Sequence, residues 1–281
     1  MTGERSDQIR TYPAGVTSWI DTEQPDVAAA LEFYGRLFGW EFEDVMPPDA
    51  PGRYVIARLQ GRDVAAIGSA GPPAGPAAGD PAAWHTYIAT DDTAARLVGL
   101  GATGISEPTD AGPGGRLAVL HDREGAEFRL WQARGRPGAQ LTNAPGSWNF
   151  SDLHTGDLSA AEDFYGSAFG WVFADLGYGT AIEVPGYGDH LAATVDPDIR
   201  IRQADAPAGF ADVIGGLVPV QDEPAHWHVT FTVADRDTTA AAAEGLGGTV
   251  LGSGQSDWTR TALVGDPQGA VFTISQFTPG G

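Results

Sequence analysis

The chain has 281 residues, with 37 acidic against 16 basic side chains and a formal charge of −21. That length suggests one large domain or two ordinary ones, and the charge argues against a phosphate-backbone ligand. There is no cysteine and no lysine, which excludes disulfides, thiolate and Schiff-base catalysis, Cys-ligated metals and a Walker-type phosphate lysine. No apolar run approaches the ~20 residues needed to span a bilayer, and the first residues lack a signal-peptide core. A cytoplasmic protein is expected.

In chain order, VTSWID reads as a strand. It is followed by a helix over Pro25–Gly39, with apolar residues at positions 27, 30, 31, 34, 37 and 38. Asp26 is its expected N-cap and Gly39 its C-terminal glycine. YVIARL and VAAIGS read as two further strands. A second cycle begins at WHTYIAT, with a helix over Asp92–Leu100 and the strands LAVLHD and EFRLWQ. The order then repeats. WNFSDL leads to a helix over Ser159–Phe169 and to AIEV and LAATV as strands. HVTFTV, a helix over Thr238–Leu246, TALVG and VFTISQ complete the set.

This is an internal repeat. LEFYGRLFGW at 31–40 matches EDFYGSAFGW at 162–171, and WHTYIATDD from Trp84 matches WHVTFTVAD from Trp227. LHDREGAEFRLWQ from Leu120 matches VGDPQGAVFTISQ from Val264. The reading is a first domain over 12–134, a Gly/Pro-rich linker over 135–146 and a second domain over 147–278. The second carries about a dozen extra residues within 172–226. GSAGPPAGPAAGDPAA (68–83) reads as a solvated crossover. The apolar content of segment 195–226 suggests a lid, or a surface packed on the other domain.

The order, with FYG…FGW after a first strand and DPQGAVF before a last one, resembles the vicinal oxygen chelate superfamily of glyoxalases, bleomycin-resistance proteins and extradiol dioxygenases. The resemblance extends over both domains and is closest to tandem-domain actinobacterial members. It implies an α+β fold of two tandem domains, each made of two βαβββ modules around a curved, mostly antiparallel sheet. It also implies metal ligands on the first and last strands of the modules. Carried over, the first-strand ligand falls on Trp19 and Phe150, the second-module histidine on His85 and His228, and the last-strand glutamate on Arg129 and Thr273. The remaining position falls near Ala66 and Ala193. One imidazole does not make a divalent site, so no metal and no cofactor are expected.

Alternation along the strands then assigns the cleft faces. Domain 1 offers Trp19, Asp21, His85, Tyr87, Glu127, Arg129 and Trp131. Domain 2 offers Trp148, Phe150, Asp152, His228, Thr230, Thr232, Val271, Thr273 and Ser275. His226 and His228 flank Trp227 and are read as facing opposite sides, so no common site is expected of them. His154 and His190 give no firm signal. His85 could equally be a structural histidine packed by Trp84, and Arg129 and Glu127 could simply pair with each other or with Asp21.

Three functions compete. The favoured one is a metal-independent enzyme acting on a bulky aromatic or polyketide-like molecule, by lyase-, isomerase- or cyclase-like acid–base chemistry rather than oxygenation. There His85 shuttles the proton, Arg129 meets an oxyanion or enolate, Tyr87 orients or donates, and Glu127 and Asp21 complete the set. Trp19, Trp131, Trp148, Phe150, His228 and Thr273 would contact the ligand. The second function is sequestration of a planar drug without catalysis, and the third is a metal-dependent glyoxalase or dioxygenase. The expected partner is a small hydrophobic or aromatic molecule, with a homodimer open and no nucleic acid or membrane.

Overall fold

The computed structural model describes residues 9–69, 82–91, 97, 99–104, 107–177, 179–204 and 206–278. Most of the expected helix at 92–100 and of the crossover at 68–83 lies outside the described residues. Domain 1 runs β1 (Thr17–Gln24), α1 (Val27–Phe38), β2 (Glu41–Asp44), β3 (Tyr54–Leu59), β4 (Arg62–Ser69) and β5 (Ala83–Ala89). It continues with β6 (Thr103–Gly104), β7 (Thr109–Asp110), β8 (Gly115–His121) and β9 (Glu127–Ala133). Domain 2 runs β10 (Trp148–Thr155), α2 (Leu158–Phe169), β11 (Val172–Asp175), β12 (Thr180–Glu183), α3 (Tyr187–Thr194) and α4 (Ile199–Arg202). Then follow β13 (Val213–Pro219), β14 (His226–Thr232), α5 (Arg236–Gly245), β15 (Thr249–Gln255), β16 (Thr259–Gly265) and β17 (Val271–Phe277).

Among the described residues each domain is one sheet, ordered β2-β3-β4-β1-β5-β9-β8-β6 with β7 on β8, and β11-β12-β13-β10-β14-β17-β16-β15. The two modules of a domain meet at an antiparallel seam, β1 with β5 and β10 with β14. The first helix is capped as expected, and the second repeats its caps. Asp26 accepts from the Ala29 N–H at 3.0 Å, and Asp157 from the Ala160 N–H at 3.0 Å. Gly39 and Gly170 close α1 and α2 at φ +73°, a left-handed conformation that glycine adopts without steric cost.

Segment 187–219 departs from the expectation. LAATV is the end of helix α3, not a strand, and the last strand of that module is β13, inside the segment read as a lid. β13 lies parallel to β10 so closely that a Cβ on Gly215 would meet the Ser151 carbonyl oxygen at 2.2 Å. The position equivalent to Ala66, which pairs with Asp21, is therefore Gly216, beside Asp152, and not Ala193. The 135–146 stretch is strapped down as well. Ala139 is fully buried, its N–H donates to the Ser18 carbonyl at 2.9 Å, and the Gln140 N–H donates to the Asp63 carbonyl at 2.7 Å.

The two hydrophobic cores do not belong to one domain each. One joins α1 and β3–β4 to β14, β16 and β17, through Phe33, Phe38, Phe231 and Phe272. The other joins β5, β8 and β9 to α2 and β12–β14, through Ile88, Phe128, Phe164 and Trp171. Polar contacts repeat the exchange in mirror image. Tyr34 donates to Asp266 at 2.8 Å and accepts from Trp84 Nε1 at 3.1 Å; Tyr165 donates to Asp122 at 3.1 Å and accepts from Trp227 Nε1 at 3.1 Å. Each aspartate's other oxygen accepts two backbone N–H groups of its own turn, at 2.9 Å. Trp40 and Trp171 reach the Gly146 and Gly15 carbonyls, each at 2.7 Å. The recurring FYG…FGW, WH and DxxGA landmarks thus fasten one domain to the other.

Candidate functional site

In domain 1 the opposite face of the sheet gathers the expected residues. The ladder sets Asp21 against His85, Trp19 against Tyr87, and Tyr87 beside Arg129. Arg129, 2% exposed, stands at the centre. Its Nε donates to Glu127 at 3.0 Å, its Nη1 to Asp21 at 3.4 Å and Tyr87 at 3.1 Å, and its Nη2 to Glu23 at 2.8 Å. Tyr87 and Tyr54 both donate to Asp21 Oδ2, at 2.5 and 2.9 Å, and Trp19 Nε1 donates to Tyr54 at 3.0 Å. Glu23, one pleat beyond Trp19 and Asp21 on β1, and Tyr54 on β3 belong to the network too, outside the residues the strand reading singles out. Trp131 forms a wall, with its Nε1 on the Arg136 carbonyl at 2.7 Å and its ring edge-on to Tyr87.

Both pairings of Arg129 are therefore present at once, and four of its five N–H donors go to protein oxygens, three carboxylates and a tyrosine. His85 differs. Its Nδ1 lies 2.9 Å from Glu127 Oε1, while its buried Nε2 has no hydrogen-bond partner among the described residues. A carboxylate only accepts, so the ring proton sits on Nδ1 and Nε2 carries the lone pair. Burial would raise the Glu127 carboxyl, yet hydrogen bonding and charge from His85, with Arg129, hold it at about 2. Burial raises Glu23 despite Arg129. Burial, and then the charge of Asp21, push the Tyr54 and Tyr87 phenols well above their ordinary range.

Domain 2 presents other chemistry on the corresponding face. Asp152 pairs with His228 in the ladder as Asp21 does with His85, but among the described residues it has no cationic partner. Burial raises it to about 6, against one backbone N–H from Gly216. Trp148, expected in the cleft, is in the first core, because a bulge between Trp148 and Phe150 turns the strand. Its edge still borders a crevice shared with Tyr12, Phe150, Tyr187 and Phe210.

His226 and His228 are not on opposite sides. Residues two apart on a strand share a face, and there they meet His154. Ligand atoms of the three lie within 4.8 Å of one another. His154 Nδ1 is 2.9 Å from Glu223, His226 Nδ1 is 3.0 Å from the Pro224 carbonyl, and His228 Nε2 is 2.8 Å from Thr273 Oγ1. Burial first, then His154 and His226, lower His228 to about 4. Burial lowers His154 too, against the pull of Glu223.

The superfamily's metal positions do not fit an ion. In domain 1 the last-strand position holds the Arg129 guanidinium, which fills the space between Asp21, Glu23 and Glu127 with its own charge. In domain 2 the corresponding set is Phe150, Gly216, His228 and Thr273, one imidazole with no carboxylate.

The fold and the paired clefts define a class, a tandem vicinal oxygen chelate protein. The chain belongs to the glyoxalase/bleomycin resistance protein/dioxygenase superfamily, whose profile matches residues 23–130, and a glyoxalase-like domain profile matches 150–275. It is 35% identical over 274 residues to CFP32 of Mycobacterium tuberculosis, a protein that carries the name glyoxylase; the match covers 95% of this chain and 97% of that one. It is 34% identical over 282 residues to the anthracycline biosynthesis protein DnrV of Streptomyces peucetius, covering 96% of each. The Mn(II)-bound glyoxalase of Novosphingobium aromaticivorans superposes with a TM-score of 0.58 at 15% identity, over 95% of this chain and 84% of that one. The 2,3-dioxygenase LapB of Pseudomonas sp. KL28 gives 0.57 at 12%, over 97% and 94%. At such identities the likeness is one of fold. Among the described residues no helix is long and apolar enough to cross a membrane.

Proposed function

We propose that this protein binds an aromatic, polyketide-like small molecule and transforms it by proton transfer at His85, without a metal ion in the domain-1 cleft. The observation that supports this is the His85–Glu127 pair. Glu127 fixes the tautomer at Nδ1, and among the described residues Nε2 is a buried acceptor that lacks a partner. Leaving such a group unpaired costs free energy, and a ligand C–H or O–H proton is what it lacks. Removal of a proton beside a ketone, as in a lyase, isomerase or cyclase, fits a base of this kind. Arg129 holds the surrounding carboxylates in place. The relative named for anthracycline biosynthesis supports the substrate class, since anthracyclines are planar aromatic polyketides.

With an anthracycline-type polyketide ketone as substrate, His85→Gln should lower turnover by about 10²–10⁴-fold while binding persists, and chelation should leave turnover intact. Unchanged turnover in His85→Gln would remove the reading. The aromatic-lined crevice beside Phe150 favours a second reading, sequestration. Stoichiometric binding with the compound recovered unaltered would decide for it.

A further inference from the structure

We propose that His154, His226 and His228 bind a divalent transition-metal ion such as zinc, nickel or cobalt on the cleft face of domain 2, at a site that shares only His228 with the superfamily's own ligand set. The site goes beyond the proton-transfer reading of domain 1 and does not rest on it.

The three rings come from two neighbouring strands. His154 stands opposite His226 in the β10–β14 ladder, and His228 lies one pleat further along on the same side. Their ligand atoms lie within 4.8 Å of one another. A tetrahedral ion with Zn–N distances of ~2.0 Å brings nitrogens to about 3.3 Å, a contraction within reach of small side-chain rotations.

The hydrogen bonds of the rings carry the inference beyond proximity. The Glu223 carboxylate and the Pro224 carbonyl can only accept, so His154 and His226 hold their protons on Nδ1 and leave Nε2 as a lone pair. His228 is engaged through Nε2 with the Thr273 hydroxyl, which leaves Nδ1. Each ring thus has one nitrogen oriented by a protein oxygen and the other unused by the protein. Metal-bound imidazoles are held in this way, with a carboxylate, a carbonyl or a hydroxyl fixing the far nitrogen.

Three neutral nitrogens without a thiolate suit borderline divalent ions and disfavour magnesium or calcium. His154 and His226 remain partly exposed, so a fourth position opens to water or to an oxygen of a ligand in the cleft. That is the pattern of sites that do chemistry or bind ligands rather than of closed structural ones.

The test uses the full chain without an affinity tag, stripped by a chelator and titrated with Co²⁺ or Zn²⁺ alone. Calorimetry should show saturable binding of one ion per chain, and Co²⁺ should develop visible absorption. Glu223→Gln, at the surface, should weaken binding by about 10–100-fold, and His154→Gln and His226→Gln by more. His85→Gln, in the other cleft, should bind the ion with unchanged affinity. In the unmodified chain the ring resonances of His154, His226 and His228 should respond to the ion, and those of His85, His121 and His190 should not. No saturable binding overturns the proposal. So does binding that survives His226→Gln, or that moves the His85 or His190 resonances instead.

Discussion

Asp21 and Asp152 occupy the same place in two sheets of the same order, each opposite a histidine on the neighbouring strand. Asp21 is held by Arg129 and two tyrosines, and Asp21, Arg129 and Tyr87 are all buried. Asp152 has a backbone N–H and, among the described residues, no countercharge; His228 stands opposite it in the ladder. The difference traces to a few positions: Glu23 against His154, Tyr87 against Thr230, Arg129 against Thr273, and Ala83 against His226. Duplicated scaffolds keep their fasteners and diversify the face that is left over. One cleft has become an anionic cage around a cation, the other a cluster of neutral bases.

The sharpest way to break the comparison is to remove the cation. Arg129→Met should destabilise the protein by about 3–5 kcal/mol, because Asp21, Glu23 and Glu127 are left close together without it; denaturant midpoints measure this. The fasteners should behave symmetrically where the clefts do not. Tyr34→Phe and Tyr165→Phe each lose a hydrogen bond to a carboxylate and should each cost about 1.5–3 kcal/mol. Unequal losses in the same denaturation experiment would show that one side of the interface dominates.

Acid should separate the two carboxylates next. Glu127 lies below its ordinary 4.5, at about 2. Its contribution to stability is complete above 4.5 and is lost as pH falls toward 2. Asp152 lies above its ordinary 3.8, at about 6. Its cost is absent below 3.8 and grows as pH rises through 6, so Asp152→Asn should stabilise the protein at neutral pH by roughly 1–3 kcal/mol. Carboxyl ¹³C shifts followed from pH 2 to 8 check both directions. The smallest effect belongs to Thr273→Val, the counterpart of Arg129. It should cost only about 0.5–1.5 kcal/mol, the worth of one hydrogen bond to His228.

Much of this was legible in the sequence. The doubled landmarks marked two domains, Asp26 and Gly39 bounded α1, its repeat placed α2, and alternation on β1, β5 and β9 gathered most of the domain-1 network. The rest was hidden for identifiable reasons. VIGGLVP carries two glycines and ends in proline, both depleted in strands, yet β13 needs Gly215 because β10 passes too close for a side chain. LAATV fits a buried strand or a short helix equally well by its apolar content. The histidine cluster escaped because β10 was read as ending at Leu153, one residue short of His154, and because i and i+2 were assigned opposite faces. The commitment of Arg129 to three carboxylates needed coordinates. Two of them, Asp21 and Glu23, lie more than a hundred positions away in the chain.

The crossed cores have a consequence for how the chain comes off the ribosome. When residue 134 has been made, every strand of the first sheet exists, but Phe231 and Phe272 do not, and neither does the aspartate that Tyr34 needs. The amino-terminal half must therefore wait with an apolar face uncovered, and synthesis at about 5–20 residues per second makes that wait many seconds long. Vectorial synthesis gives this protein no stage at which one half is finished first; the last strand, β17, closes the core that α1 began.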